Sequence, residues 1–257
     1  MFPYVEQPIL RVGPITFQAF GILVAAAILL GYWMLIRRAE KLGFNADIAS
    51  RLAIWLVACG LLGAHLFAVT LSDPKDIFSD PLVLLRLWEG LSSFGGFLGG
   101  ILGGIWFMWN YSLRYAEAWK YFDLVAFVFP FAWILGRAGC FLAHDHPGVE
   151  TTGWWAVRYP DGQRFDLGLL ELLYTLILVG IFLVLDRRQR PTGFYFALFF
   201  VLYGPGRFFM DGLRINEVRY FGFTLAQQGA LVGALFGGSV LLRIYIVSRR
   251  KKRPRLG

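Results

Sequence analysis

Seven apolar runs, separated by polar connections, follow one another along the chain, and each is close to the roughly 20 residues that cross a hydrocarbon core. They cover about Phe17–Ile36, Leu52–Leu71, Ser93–Tyr111, Tyr121–Leu142, Leu167–Leu185, Phe194–Met210 and Phe223–Val247. Gly204-Pro205-Gly206 and Arg207 interrupt the end of the sixth run, so six and eight spans are the alternatives to seven. The pattern predicts an all-α polytopic membrane protein, a bundle of seven transmembrane helices forming one domain over residues 1–257. A small outward-facing head segment, residues 144–166, is expected between spans four and five, and residues 248–257 form a basic tail.

The polar positions between the runs set the orientation. Arg37, Arg38, Lys41 and Arg51 lie between spans one and two, Arg114 and Lys120 between three and four, and Arg187, Arg188 and Arg190 after span five. The C-terminus carries Arg249, Arg250, Lys251, Lys252, Arg253 and Arg255, whereas the connection from Ser72 to Asp80 is mostly acidic. Cationic loops stay in the cytoplasm, which places the N-terminus outside and the C-terminus inside. Composition agrees: 57% of the 257 residues are hydrophobic and only 16% charged, against roughly a quarter charged in soluble domains. The net charge of +8 then belongs to topology anchors and anionic lipid head groups, and no nucleic-acid partner is expected. Met1–Pro14 lacks the basic n-region of a cleavable signal peptide. Cys59 and Cys140 are too few for a disulfide framework, and Cys140 reads as a small apolar filler. Residues 79–90, with Trp88 and several leucines, read as an interfacial segment on the outer leaflet.

Two features within the spans change the picture. Span three carries Gly95, Gly99 and Gly103 on one helical row, with Gly96, Gly100 and Gly104 beside it. Such rows allow close helix packing; alternatively they form a smooth wall for a lipid. The second feature is charge at membrane depth, which costs about 2.5–3.5 kcal/mol at a helix centre. Arg137, His144, Asp145 and His146 stand at the outer end of span four, and Arg207, Asp211 and Arg214 at the outer end of span six. The latter three share one face if the helix continues. Arginines flanked by glycine suit a clamp for phosphate or carboxylate, since guanidinium offers a bidentate fork. His144, Asp145 and His146 read as an acid–base group or a structural loop; a metal site lacks a clear third and fourth ligand, so none is expected. His65 reads as a satisfied core histidine, and Glu171 and Asp123 as caps or partners within the bundle. An outward-facing lipid or anion site made by spans four and six follows from these residues.

At the same residues the chain resembles the prolipoprotein diacylglyceryl transferase family. The family's signature is Gly-Arg-x-Gly-Asn-Phe-x-Asn-x-Glu-x-x-Gly; here Gly136, Arg137, Gly139, Phe141 and Gly148 match, Asp145 replaces the glutamate, and Cys140 and Ala143 replace the asparagines. Tyr203, Gly204, Arg207, Phe208, Asp211 and Arg214 are similar to a second motif, with Asp211 again in place of glutamate. Ser93-Phe94-Gly95-Gly96 stands where the family has Phe-His-Gly-Gly, so Phe94 occupies the place of a histidine assigned as the base, and Leu170-Glu171 echoes a Tyr-Glu pair. The resemblance implies transfer of the diacylglyceryl group of phosphatidylglycerol to the lipobox cysteine of a preprolipoprotein signal peptide, in the bacterial inner membrane, without metal or organic cofactor. It implies that Arg137 and Arg207 hold the phosphate, that Asp211 and Arg214 orient Arg207, and that Asp145 binds the head group or moves a proton. Tyr203, Phe94, Gly95 and Gly96 would line the lipid site, and His144 or His146 would replace the missing base. A divergent paralogue with another acceptor or anionic lipid, or a non-catalytic phospholipid-binding protein, is the alternative.

Overall fold

The computed structural model describes every residue except 13, 14, 73–76, 78, 79, 87–89, 216, 217 and 253–257. Seven helices of 18 residues or more follow the seven apolar runs: α1 (Ala19–Lys41), α2 (Ala46–Ser72), α3 (Ser93–Asn110), α4 (Tyr115–Ala143), α5 (Leu167–Leu185), α6 (Phe194–Gly212) and α7 (Leu225–Lys252). Five of them, α1, α2, α4, α5 and α7, are long and apolar enough to cross a membrane. Glycine dilutes the hydropathy of α3, and Arg207 and Asp211 lower that of α6. The expected break in span six does not occur. α6 runs through Pro205 to Gly212, as prolines do in membrane helices whose freed backbone groups find other partners.

The chain is a helical membrane protein, yet not purely α. Among the described residues, six short strands correct that expectation: β1 (Phe2–Pro3), β2 (Ile9–Val12), β3 (Ile15–Gln18), β4 (Pro147–Glu150), β5 (Val157–Tyr159) and β6 (Gly162–Asp166). β2 and β3 form a hairpin, and the others form a sheet in the order β1-β5-β6-β4. The chain divides into two compact units, Met1–Gly31 with Phe122–Gly257, and Tyr32–Tyr121.

Within the unit of residues 32–121, α2 and α3 approach backbone to backbone. A Cβ on Gly99 would lie 2.3 Å from the Cys59 carbonyl oxygen, and one on Gly63 2.6 Å from that of Gly95. The row Gly95, Gly99 and Gly103 is therefore a packing seam, and only glycine permits it. His65, fully buried, places Nε2 3.0 Å from the Val83 carbonyl oxygen and Nδ1 3.4 Å from that of Gly90. Of the interfacial segment, Pro81–Leu85 forms a 3₁₀ turn with Leu82 and Leu85 exposed. Trp88, most of the acidic connection, and Arg253 and Arg255 of the tail lie outside the described residues.

In the unit made of residues 1–31 and 122–257, the sheet is the head segment expected at 144–166, joined by the N-terminus. Phe2 pairs with Val157 in parallel register, and β4 and β5 flank β6 antiparallel. Asp166 ends β6 and caps α5, its Oδ1 accepting from the Leu169 backbone N–H at 2.9 Å. Asp123 accepts from the Phe196 N–H at 2.9 Å near the start of α6.

Candidate active site

Three small residues bring the helices of this unit close enough for their polar side chains to meet. A Cβ on Gly168 would lie 2.7 Å from the Phe141 nitrogen, so the first turn of α5 touches the last turns of α4. A Cβ on Gly206 would lie 2.4 Å from the Tyr174 ring, and one on Gly204 2.8 Å from the Ala230 carbonyl oxygen. Gly204 and Gly206 thus seat α6 between α5 and α7. Glu171, Arg137, Tyr203 and Arg207 all lie within a turn or so of these contacts.

Glu171 is the hub. Its side chain is buried, with Oε1 2.9 Å from Arg137 Nη2 and Oε2 2.6 Å from Arg207 Nη1. Oε1 also accepts from Tyr203 Oη and, at 3.3 Å, from Trp133 Nε1. Arg207 Nη2 continues to Asp211 Oδ1 at 3.0 Å, and Arg214 Nη1 stands 3.7 Å from the same oxygen. Thr224 donates its hydroxyl to Asp211 Oδ2. Three arginines share two buried carboxylates, so the cluster retains one positive charge. Arg137 is 1% exposed, stacks 4.4 Å from the Trp133 ring, and leaves Nε without a hydrogen-bond partner. A buried guanidinium N–H without a partner has room for one further acceptor.

The two motifs meet a second time through the backbone. Gly148 bridges Arg214, and the Val149 N–H donates to the Leu213 carbonyl oxygen at 2.9 Å. One end of each motif is held by side chains and the other by main chain.

The histidines separate. His144 is buried in a left-handed turn (φ 48°), not in an extended loop, so it and His146 do not share a face. Its Nδ1 lies 2.6 Å from Asp166 Oδ2 and its Nε2 3.2 Å from the Val5 carbonyl oxygen, with Tyr4 stacked on the ring. Both partners accept, which leaves no ring nitrogen facing a substrate. Tyr159 donates to Asp166 Oδ2 at 2.8 Å; burial, and then the Asp166 carboxylate, push its phenol above the ordinary tyrosine range. His146 is more open, with Nδ1 3.0 Å from Asp145 Oδ1. Asp145 and His146 together with Cys140 bring a carboxylate oxygen, a ring nitrogen and a sulfur within 4.8 Å of one another. Cys140 adds a third donor atom beside that pair, one the linear pattern did not reveal, and Arg137 Nη1 donates to its sulfur at 3.7 Å.

Arg137, Tyr203, Arg207, Asp211 and Arg214 are thus assembled around Glu171, with Asp145 and His146 adjoining through Cys140. Phe94, Gly95 and Gly96 belong to the other unit, where Phe94 packs against Phe67 at 5.1 Å between rings and Gly95 is buried against the same residue. Sequence reasoning gave Glu171 only a capping or pairing role. Its signal was an acid in an otherwise uncharged run, Leu167–Leu185.

The model of the prolipoprotein diacylglyceryl transferase family matches residues 7–243. The chain belongs to this family. It is 30% identical over 249 residues to phosphatidylglycerol–prolipoprotein diacylglyceryl transferase of Symbiobacterium thermophilum, covering 92% of each chain. It is 28% identical to the protein of the same name from Nitratidesulfovibrio vulgaris strain DP4, over 94% of this chain and 95% of the relative. The same identity holds for that of Actinobacillus pleuropneumoniae serotype 3, over 97% of each. As a diacylglyceryl transferase family member, the chain departs from the motifs it resembles at Phe94, Cys140 and Ala143, and carries aspartate for glutamate at Asp145 and Asp211.

Proposed function

We propose that this transferase moves the diacylglyceryl group of phosphatidylglycerol onto the lipobox cysteine thiol of a preprolipoprotein, at the outer face of the bacterial inner membrane. One observation carries the reading: Arg137 and Arg207, from separate motifs, converge on the two oxygens of one buried carboxylate, Glu171. Two guanidinium groups fixed before a ligand arrives suit a phosphodiester whose charge grows as it leaves. Arg207 and Arg214 are the more open cations and receive the head group, while Arg137, deeper, offers Nε. Asp211 and Thr224 hold Arg207 and Arg214 in place.

The sulfur attacks the glycerol carbon that carries the phosphoester. A carbon–sulfur bond forms, the carbon–oxygen bond breaks, and its electron pair stays on the phosphate oxygen of the departing glycerol phosphate. The thiol is activated at Asp145 and His146, the polar pair that adjoins Arg137 through Cys140. The topology that fits is seven spans with the N-terminus and the 144–166 head outside and the tail in the cytoplasm. Pairing of Phe2 with Val157 supports it, because N-terminus and head must then share one side.

The test is direct. Purified protein in phosphatidylglycerol micelles, given a peptide with a lipobox cysteine, should yield a diacylglyceryl thioether and glycerol phosphate by mass spectrometry. Lipid binding without thioether would overturn the catalytic reading and leave a phospholipid-binding protein.

A further inference from the structure

We propose that Cys140, Asp145 and His146 form a zinc site whose fourth coordination position takes the acceptor's cysteine, so that the metal deprotonates the thiol. The proposal rests on the transferase reading above.

Geometry supplies the first argument. The sulfur of Cys140, a carboxylate oxygen of Asp145 and a ring nitrogen of His146 lie within 4.8 Å of one another. In tetrahedral zinc, bonds of about 2.0–2.3 Å place ligand atoms roughly 3.3–3.7 Å apart, so shifts of about 1 Å gather them around one ion. His146 Nδ1 is buried and sits 3.0 Å from Asp145 Oδ1, yet the two make no aligned hydrogen bond. Atoms placed side by side in this way are arranged as ligands of a shared centre. Their chain positions help: Cys140 closes the last turn of α4, and Asp145 and His146 follow the left-handed turn at His144 that folds the chain back over it.

The donor set supplies the second. Sulfur, imidazole and carboxylate suit zinc, while magnesium and calcium require oxygen cages. Catalytic zinc keeps three protein ligands and one position for water or substrate. Arg137 Nη1 donates to the Cys140 sulfur at 3.7 Å, the kind of outer contact that orients a ligand.

The third argument is chemical need. A free cysteine has a pKa near 8.5 and is mostly the unreactive thiol at pH 7. The chain has three histidines. His65 lies against two backbone carbonyls, and His144 against Asp166 and the Val5 carbonyl. Only His146 remains near the arginines, and a lone ligand pair becomes far more effective around a metal, because a coordinated thiol is deprotonated outright. On binding, the acceptor S–H releases its proton to solvent. The sulfur then attacks the glycerol carbon as the carbon–oxygen bond breaks toward phosphate held by Arg137. The thioether product is a poor ligand and leaves; zinc keeps its oxidation state throughout.

Cobalt(II) is the probe. Chelator-stripped protein in detergent should bind one equivalent and develop a thiolate-to-cobalt charge-transfer band in the near ultraviolet. Cys140→Ser and His146→Ala should each abolish the band or weaken cobalt binding at least about tenfold; Asp145→Asn serves as the second variant if either fails to fold. Cys59→Ser, which changes the other cysteine, should retain it. A lipobox peptide should intensify the band, and its Cys→Ser version should not. Absence of the band in the wild type, or its persistence in Cys140→Ser and His146→Ala, overturns the site. An unaltered rate of thioether formation in metal-free protein overturns its role while leaving the transferase reading intact. Metal and peptide binding without thioether would leave the site standing and reject the transferase.

Discussion

Replacing Glu171 by glutamine keeps the shape of the hub, removes its charge and turns one of its two accepting oxygens into an N–H donor. Arg137 would then face its neighbours with a thiol at 3.7 Å, the Trp133 ring at 4.4 Å and an orphan Nε, while Arg207 would keep Asp211 at 3.0 Å. Removing one partner of a buried ion pair costs about 3–5 kcal/mol, and the lower end applies because Arg207 retains a carboxylate. About 3 kcal/mol lost from the arrangement proposed to receive the phosphate corresponds to roughly a hundredfold in rate, at about 1.4 kcal/mol per decade. The assay is thioether formation in phosphatidylglycerol micelles, read beside thermal stability in detergent. Glu171→Gln should melt lower, on the order of 6–12 °C, and lose about two decades in activity. Glu171→Asp should fall between, since the shorter side chain keeps the charge but reaches both arginines less well. Inorganic phosphate should stabilise Glu171→Gln more than the wild type, because the anion supplies the charge that the variant lacks. Activity within about twofold of wild type and an unchanged melting point would refute the hub.

Other perturbations separate the remaining roles. Arg137→Ala and Arg207→Ala should each reduce transfer at least about hundredfold with the protein still inserted, and lysine should rescue poorly because it offers no bidentate fork; membrane fractionation beside the rate assay checks both. Gly99→Leu should force α2 and α3 apart, since even a Cβ there would sit 2.3 Å from the Cys59 carbonyl oxygen, and limited proteolysis should show the loosened pair. The Tyr159 phenol is raised in the folded head, so its contribution to stability is intact below the unfolded tyrosine value of about 10 and is lost as pH rises beyond it. Tyr159→Phe should remove that alkaline decline and cost about 1 kcal/mol at neutral pH, measurable by thermal melting against pH. A reporter fused after Lys252 should be labelled only from the cytoplasmic side; labelling from outside would reverse the proposed topology.

How far the sequence could be read depends on the range of the interactions. Apolar periodicity is local, and it found all seven helices, with α5 identical at Leu167–Leu185. Gly204-Pro205-Gly206 and Arg207 look like an interruption of span six in the linear sequence, whereas Gly204 and Gly206 are packing contacts against Ala230 and Tyr174 that keep the helix seated. Pairing of Phe2 with Val157 joins the two ends of a long segment and leaves no periodic trace. The arginines were legible as charges that should not lie at membrane depth. Glu171 was visible in the same way, but only the approach of α5 to α4 at Gly168 reveals which cations it meets. The surroundings of His144 were hidden for a different reason: Asp166 and Val5, its partners, are distant in sequence.

The two motifs have the spacing they have because each is fixed at both ends. Arg137 and Arg207 are tied through Glu171, and Gly148 and Arg214 are tied as a backbone bridge. A Cβ on Gly148 would lie 3.0 Å from the Phe165 Cβ and 3.2 Å from the Leu213 carbonyl oxygen, so a side chain there would make its neighbours give by a few tenths of an ångström. Releasing that bridge would free Arg214 and the segment that carries Asp145 and His146, while leaving the deeper ion pairs in place. An anion site made of arginines alone would repel itself apart when empty. With Glu171 and Asp211 buried among them, the guanidinium groups are held in place without a ligand, so that in the proposed reading the lipid meets a site already organised. The carboxylates therefore set the geometry, and the surplus positive charge is left for the ligand.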